Sequence, residues 1–274
     1  MTDRTQVIAE GRRVLALEAA AIAALEARLG DDFASACELL AGASGRIITC
    51  GIGKSGHIAR KIAGTLTSTG TPATFLHPVE ALHGDLGIVG EDDVAIIISK
   101  SGRSEELAGL IGYLARLRVP IVALVGASDS QLAEHASVAL DCSVEEEACP
   151  MDLAPTSSST AALAMGDALA VTVLQQKGFT PADFAQFHPG GALGQRLTVR
   201  VSDVMELESY PSLPASANMK DAIGPLAEMR GTVPIVDDEG RVTGVVTAGD
   251  LTRLMERDAG DASDRKSTRL NSSH

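Results

Sequence analysis

The sequence predicts an α/β protein with a doubly wound, mainly parallel five-stranded sheet, followed by a smaller β-α-β-β-α unit. Residues 94–98 and 120–125 are uninterrupted apolar runs, which are typical of parallel strands buried on both faces. Segments with helical spacing of apolar residues separate such runs, as in sheets whose strands are joined by crossover helices. The alternation of the two patterns predicts a doubly wound sheet.

The same patterns predict the order of the elements. An Ala- and Leu-rich stretch at 5–29 has apolar residues at helical spacing and ends near Gly30, which indicates one long amphipathic helix. Further helices are expected at 32–41, 56–68, 104–117, 130–136 and 157–177, and strands at 46–50, 73–76, 94–98, 120–125 and, at the edge, 138–140.

A restart of the pattern near residue 200 predicts a domain boundary, with a first domain at 1–199 and a second at 200–257. In the second domain we expect a strand at 201–205, a helix at 218–230, strands at 233–236 and 242–247, and a helix at 249–257. Residues 258–274 are basic and polar without periodicity. We expect them to be a disordered or non-native tail.

Composition excludes several classes of protein. The 274 residues are 45% hydrophobic and 22% charged, unlike disordered or collagen-like chains. No apolar run approaches the roughly 20 residues of a membrane span, and the N-terminus lacks the pattern of a signal peptide. A net charge of −13 argues against nucleic acid as a partner. We therefore expect a cytoplasmic protein that binds neither nucleic acid nor membranes.

The four cysteines, Cys37, Cys50, Cys142 and Cys149, predict no metal site. Their spacing contains neither a C-x-x-C pair nor the pattern of zinc ligands. We expect all four to be reduced and structural, as in the cytoplasm.

A glycine-rich segment at 51–56, GIGKSG, lies between a predicted strand and a helix, where sheets of this class bind ligands. A Walker A loop is excluded because Ile48 stands where its first glycine is required. The segment matches the dinucleotide fingerprint, but the next strand lacks the acidic residue that would bind a ribose. Two interpretations remain: a tight glycine turn, or a loop in which Gly53, Lys54 and Ser55 bind a smaller phosphate.

Two further hydroxyl clusters precede predicted helices. Ser99, Ser101 and Ser104 follow the third strand, and Thr156 and Ser157 begin the helix at 157–177. Hydroxyls at a helix N-terminus supply donors for an anion. A serine-rich turn with Ser104 as a helix N-cap would explain part of the first cluster. Two such loops at the carboxyl ends of strands, together with a third hydroxyl cluster at a helix start, favour a phosphate site with these residues as ligands.

Six motifs in preserved order carry a family resemblance. They are GIGKSGH at 51–57, HGDLG at 83–87, SKSGRS at 99–104, EACP at 147–150, LAPTSS at 153–158 and HPGGALG at 188–194. Together they resemble the D-arabinose-5-phosphate isomerases, which have a sugar-isomerase (SIS) domain followed by two cystathionine-β-synthase (CBS) motifs. Residues 201–257 resemble one CBS motif. The second is missing, so we expect a truncated chain whose single motif binds no adenosine nucleotide unless two chains associate.

The resemblance implies an aldose–ketose isomerase that interconverts D-ribulose 5-phosphate and D-arabinose 5-phosphate through an enediol. It implies no cofactor and no metal, a homotetramer, and a place in Kdo and lipopolysaccharide synthesis. Two other interpretations stay open: a non-catalytic sugar-phosphate sensor, and a phosphosugar isomerase of different specificity. The first 45 residues are too short and too acidic for the DNA-binding domain that such sensors carry.

The resemblance also implies catalytic residues. Lys54 would stabilise the phosphate or the developing oxyanion. Glu147 is the expected base, with Glu106 as the alternative. His188 would open the sugar ring, reaching a neighbouring subunit's site, with His83 as the alternative. Without the family resemblance, simpler interpretations remain. Glu106 would only complement the helix dipole, Glu147 would be an ordinary solvated acid, and the histidine before Pro-Gly would be a capping or loop residue.

Lys100 and Arg103 depart from the family's usual pattern in the serine-rich loop. Family members mostly carry uncharged or acidic residues there. The added positive charge would either assist phosphate binding or face solvent.

Overall fold

Five parallel strands form the central sheet of residues 3–199, in the order β2-β1-β3-β4-β5. The computed structural model describes residues 3–205 and 210–257, which divide into two compact units between Val199 and Arg200. The predicted doubly wound sheet is confirmed. The strands are β1 (Ile47–Gly51), β2 (Ala73–Leu76), β3 (Val94–Ser99), β4 (Ile121–Val125) and β5 (Val138–Asp141).

Nine helices and a short 3-10 turn at Asp85–Ile88 accompany this sheet within the described part of the first unit. Four of these helices, at 78–82, 131–135, 181–187 and 192–198, have seven residues or fewer. The sequence pattern predicts the helix at 131–135 but not the other three. The helices are α1 (Arg4–Glu26), α2 (Asp31–Gly42), α3 (Gly53–Ser68), α4 (Pro78–Leu82), α5 (Glu105–Leu117), α6 (Gln131–His135), α7 (Ser157–Gln176), α8 (Pro181–Phe187) and α9 (Ala192–Thr198).

The sheet is buried between two apolar cores. Residues of α1, α2, α3 and α7 pack on one face around Ile96, and residues of α4, α5 and α6 pack on the other around Ile97. Successive strand residues point to opposite faces, so neighbouring isoleucines belong to different cores. β1, β3 and β4 are buried along their whole length. This double burial explains why their sequences are continuous apolar runs.

Helix α7 also belongs to this core. Its 20 residues are long and apolar enough to cross a membrane by length and composition alone. Half of its apolar window is buried, however, and Met165, Leu169 and Val173 pack in the core beside β3 and β4. The apolar character of α7 is therefore explained by its place in this core, where it packs beside α1, α2 and α3.

Two glycines allow β1 and α3 to approach closely. A Cβ atom on Gly51 would lie 2.8 Å from the carbonyl carbon of Ser55, and one on Gly56 would lie 2.7 Å from the Gly51 oxygen. Helix α3 begins at Gly53, three residues earlier than the sequence pattern predicts. Lys54 and Ser55 lie in its first turn instead of in a loop.

The second unit contains a three-stranded sheet with a small core of its own. The expected strand at 201–205 is wrong: this segment forms the short helix α10 (Val201–Val204), in which the Asp203 carboxylate accepts a hydrogen bond from the Arg200 backbone N–H at 2.9 Å. The first strand lies further along the chain. The elements are β6 (Leu213–Pro214), α11 (Met219–Glu228), β7 (Thr232–Val236), β8 (Val242–Thr247) and α12 (Ala248–Arg257).

This second unit retains the β-α-β-β-α order that the sequence predicts. β6 pairs with β7 in parallel, and β7 pairs with β8 antiparallel. Leu226, Val233 and Ile235 are buried between the sheet and α11. The expected tail at 258–274 lies outside the described residues.

We predict that Asp93→Ala lowers the free energy of unfolding by about 3 kcal/mol. The buried Asp93 carboxylate accepts hydrogen bonds from the backbone N–H of Arg46 at 2.7 Å and of Gly90 at 2.8 Å, which fixes the entry to β1 beside that of β3. Urea unfolding measures the loss. Asp92→Ala is the matched control, because Asp92 is exposed, and a change of under about 0.5 kcal/mol is expected there. Equal losses in the two variants would contradict the role of Asp93.

Candidate active site

A cleft of about 480 Å³ opens where the carboxyl ends of the strands meet. Residues that follow β1, β3, β4 and β5 line it, together with the first turns of α3, α5 and α7. Such sheets bind ligands at this edge, beside the point where the strand order reverses. We call it the serine cleft, and its lining residues are Ile52, Ser55, Ile98, Ser99, Lys100, Ser101, Ser104, Leu107, Gly126, Cys142, Ser143, Val144 and Ser158.

Four of the expected phosphate ligands, Ser55, Ser99, Ser101 and Ser104, line this cleft together. The Ser99 hydroxyl accepts a hydrogen bond from the Gly102 N–H at 3.0 Å, which shapes the loop after β3. A hydroxyl that accepts one bond keeps its own O–H for a ligand. Ser104 occupies the N-cap position of α5, but its side chain makes no capping bond. Helix capping therefore does not account for the Ser104 hydroxyl.

The hydroxyl cluster at the start of α7 binds a side chain of the protein itself. The Glu147 carboxylate accepts hydrogen bonds from the Thr156 N–H at 2.8 Å, the Thr156 hydroxyl at 3.2 Å and the Ser158 N–H at 3.1 Å. It also accepts bonds from the Ser158 hydroxyl and from the Lys100 Nζ at 2.6 Å. Glu147 thus occupies the anion site that a helix N-terminus provides, and Thr156 donates to this carboxylate.

These donors keep Glu147 ionised. Burial acts to raise the pKa of Glu147, but the hydrogen bonds from Lys100, Ser158 and Thr156 outweigh it and lower the pKa from 4.5 to about 2. Glu147 is therefore a charged link between the loop after β3 and the start of α7.

Ser157 is buried beside this network, and its hydroxyl has no hydrogen-bond partner within the described part of the chain. Gly53, also expected to contact phosphate, is the exposed first residue of α3 and has a φ of +56°. Neither residue is among those that line the serine cleft.

Lys54 and Glu106 are both exposed in the first turn of a helix. Lys54 precedes the lining residue Ser55 in α3, and Glu106 precedes the lining residue Leu107 in α5. Both side chains are therefore attached to backbone at the wall of the cleft. Neither forms an ion pair within residues 3–205 and 210–257.

Neither of the two candidate histidines is among the residues that line the serine cleft of the same chain. His188 ends α8, its ring stacks on Phe184 with centroids 3.9 Å apart, and its Nδ1 lies 3.0 Å from the Phe184 carbonyl oxygen. Since a carbonyl only accepts, Nδ1 carries the proton and Nε2 is the basic nitrogen. His188 lines a second cleft of about 520 Å³ with Arg60 and Phe75. His83 is exposed at the end of α4.

Two arginines at the N-terminal helix hold the segment that carries Glu147. The Arg13 Nη2 donates to the Ala148 carbonyl oxygen at 2.6 Å. The Arg28 Nη1 donates to the carbonyl oxygen and hydroxyl of Ser143, at 3.0 and 2.9 Å. The wall of the serine cleft after β5 is thereby attached to α1 and the turn that follows it.

The cysteine at this wall is not a nucleophile. Burial raises the pKa of the Cys142 thiol to about 12, so it stays protonated and unreactive near neutral pH. All four cysteines are free thiols.

Comparison with known proteins shows the family. Arabinose 5-phosphate isomerase KdsD of Pseudomonas aeruginosa is 44% identical over 259 residues, which cover 94% of this chain and 79% of that protein. The Escherichia coli K12 protein of the same name is 46% identical over 248 residues, covering 90% of this chain and 76% of that protein. This chain belongs to the arabinose 5-phosphate isomerase family. Family models for the SIS domain and the CBS domain match residues 39–172 and 201–257.

Solved structures agree with membership of the arabinose 5-phosphate isomerase family. A protein of Escherichia coli CFT073 in complex with arabinose 5-phosphate is 37% identical, with a TM-score of 0.66, and the match covers 69% of this chain and 100% of that one. A putative sugar-phosphate isomerase from Listeria monocytogenes is 29% identical, with a TM-score of 0.67 and the same coverage. The resemblance that the motifs predicted is confirmed.

The sequence patterns do not indicate several of the residues that line the cleft. Gly126, Ser143 and Val144 follow β4 and β5, and their only signal was their place after a predicted strand. Ser158 lies within a quoted motif but was not expected as a site residue. The sequence singles out Lys100 by its charge. Only the structure shows that it lies in the cleft and pairs with Glu147.

We predict that Glu147→Gln removes part of the pH dependence of stability. The pKa is depressed in the folded chain, so the stabilisation by ionised Glu147 is complete above pH 4.5 and is lost as the pH falls through about 2. Relative to the variant, the wild type should lose about 3 kcal/mol of unfolding free energy across this window.

Urea unfolding at a series of pH values measures this difference. Glu146→Gln is the control, because Glu146 is the exposed neighbour and should follow the wild type. Parallel pH profiles for wild type and Glu147→Gln would show that the carboxylate is not held as described.

Proposed function

We propose that the protein interconverts D-arabinose 5-phosphate and D-ribulose 5-phosphate. The observation that carries this proposal is the 44–46% identity to arabinose 5-phosphate isomerases over at least 90% of the chain. The serine cleft supports it, since its hydroxyl groups suit a phosphate monoester and its position in the sheet is that of a ligand site. The complex of the Escherichia coli CFT073 relative with arabinose 5-phosphate supports the same substrate.

The phosphate would bind among Ser55, Ser99, Ser101 and Ser104. Helices α3 and α5 both begin at this cleft, and the N-terminus of a helix favours an anion. Hydroxyl and amide donors hold the phosphate without a large basic patch, which fits the acidic composition of the chain. The sugar carbons would then extend from this anchor towards Lys54 and Glu106 at the neighbouring helix starts.

Glu106 is the better candidate for the base. Isomerisation of the aldose requires a base that removes the proton from C2, an enediol intermediate, and return of a proton to C1. Glu147, with a pKa of about 2, binds protons too weakly for this step, whereas Glu106 is exposed to solvent at the start of α5. Glu147 is instead a positioning residue, and Lys54 would stabilise the negative oxygen of the enediolate.

His188 would act in the site of a neighbouring copy. Its separate cleft in the same chain supports this arrangement, and ring opening by the unprotonated Nε2 would follow once two copies meet. Ile8, Leu15 and Ile22 are exposed on α1 at intervals of seven, which places them on one face of the helix and supports association into a homotetramer. His83 is the alternative ring-opening residue.

The working location and pathway follow from the same proposal. Free cysteines suit the reducing cytoplasm, where we place the enzyme. Its product would feed Kdo and lipopolysaccharide synthesis.

We predict that Glu106→Gln lowers kcat at least about 100-fold, as loss of a general base does, while the protein stays folded. Purified protein is incubated with ribulose 5-phosphate, and arabinose 5-phosphate is followed by chromatography. Glu105→Gln is the matched control, because Glu105 is an exposed acid in the same helical turn and should retain wild-type turnover.

The outcomes separate the alternatives. Absence of turnover by the wild type would refute the proposed function: ligand binding without turnover would indicate a sensor, and turnover of another phosphosugar would indicate a different specificity. Full activity of Glu106→Gln would refute its role as the base.

We predict that inactive variants complement each other when copies exchange. Glu106→Gln and His188→Ala should each be inactive alone. After unfolding and joint refolding in equal amounts, they should recover roughly a quarter of wild-type activity. This is the fraction of sites that combine an intact Glu106 from one chain with an intact His188 from another. A mixture that stays inactive would place His188 in the site of its own chain. Full activity of His188→Ala alone would favour His83 in its place.

A further inference from the structure

Lys100 brings positive charge into the serine cleft. Among the described residues that line the cleft, it is the one with a charged side chain. Its neighbours Ser99 and Ser101 belong to the same wall, so its ammonium stem starts between two of the hydroxyl donors. The serine cleft therefore combines neutral hydroxyl donors with one positively charged side chain.

The backbone of Lys100 is fixed by the end of the adjacent strand. The Gly126 N–H donates to the Lys100 carbonyl oxygen at 3.0 Å. A Cβ atom on Gly126 would lie 2.8 Å from that oxygen and 3.4 Å from the Lys100 Cγ. A glycine at this position thus lets the lysine stem cross the floor of the cleft.

The Lys100 ammonium group is held by Glu147 but keeps hydrogen-bond donors for a ligand. Its Nζ lies 2.6 Å from Glu147 Oε1, and the lysine side chain remains 51% exposed. A lysine ammonium has three N–H donors, and Glu147 takes one of them, which leaves two for a ligand. The Glu147 carboxylate also accepts hydrogen bonds from Thr156 and Ser158 at the start of α7. Its negative charge is therefore only partly balanced by Lys100, and the positive charge of Lys100 is not fully neutralised.

A purely structural ion pair explains this lysine less well. Glu147 already accepts four hydrogen bonds from Thr156 and Ser158, so Lys100 is one of several groups that stabilise the buried carboxylate. The lysine side chain is 51% exposed, so its ammonium group stays accessible to a ligand while it contacts Glu147. What the pair does achieve is to hold a flexible cation at the wall where the serine hydroxyls converge.

We infer that Lys100 is a phosphate-binding residue, and that Glu147 positions its ammonium for the phosphate group of the substrate. This inference rests on the proposed sugar-phosphate function and adds to it a specificity for the dianionic end of the substrate. Two charge-assisted N–H donors would contact the phosphate oxygens beside Ser99 and Ser101.

Inorganic phosphate is the probe, because its binding can be measured without turnover. Isothermal titration calorimetry at fixed ionic strength should give a Kd about tenfold higher for Lys100→Met than for the wild type, as expected for loss of a charge-assisted hydrogen bond. Lys100→Arg, which keeps the charge, should restore most of the affinity.

Arg103→Met is the matched control. Arg103 lies in the same loop but pairs with Asp129 at 2.8 Å, so this variant loses the same charge outside the cleft and should bind phosphate as the wild type does. Equal Kd values for Lys100→Met and wild type, or equal weakening in both variants, would overturn the inference. The second result would indicate a general effect of charge.

Turnover of arabinose 5-phosphate separates this inference from the proposed function. With an active wild type, Lys100→Met should raise KM about tenfold and leave kcat within about threefold, since phosphate binding is shared by ground and transition states. A lower kcat at unchanged KM would overturn the inference. An inactive wild type with weaker phosphate binding in Lys100→Met would refute the isomerase and retain the phosphate ligand.

Discussion

The serine cleft depends on one buried carboxylate. Removing the Glu147 charge from water carries a desolvation cost that only good hydrogen bonds can offset, and the chain supplies five of them from Lys100, Thr156 and Ser158. Because these donors come from the loop after β3 and from the first turn of α7, the carboxylate fixes two walls of the cleft relative to each other. The same hydrogen bonds lower the pKa of Glu147 to about 2.

The parallel sheet determines where such a cleft can form. All five strands run in the same direction, so their carboxyl ends and the loops that follow lie at a common edge. Helices that start at this edge add partial positive charge. Segments that are distant in sequence therefore contribute to one cleft of about 480 Å³, although no single loop contains a complete binding motif.

Local patterns predicted the elements of the sheet well because burial on both faces leaves a continuous apolar signal, as in β3 and β4. The strand expected at 201–205 failed because five residues are too few to show a period, and Asp203 favours a helix start through its bond to Arg200. The contents of the cleft depend on tertiary contacts that sequence does not show. The sequence does not show that Thr156, a predicted phosphate ligand, donates hydrogen bonds to Glu147. Nor does it show the pairing of Lys100 with Glu147, which joins residues 47 apart. The family resemblance identified residue types, and the structure adds the hydrogen bonds among Lys100, Glu147 and Thr156.

The bond from Arg13 to the Ala148 carbonyl joins residues 135 positions apart. During synthesis helix α1 precedes the sheet, and Ala148 follows only after all five strands have been made. Contacts between distant residues form late, because the chain must lose the entropy of a long loop before they can stabilise it. The wall of the cleft is thus completed only after the five strands of the sheet that supports it have been made.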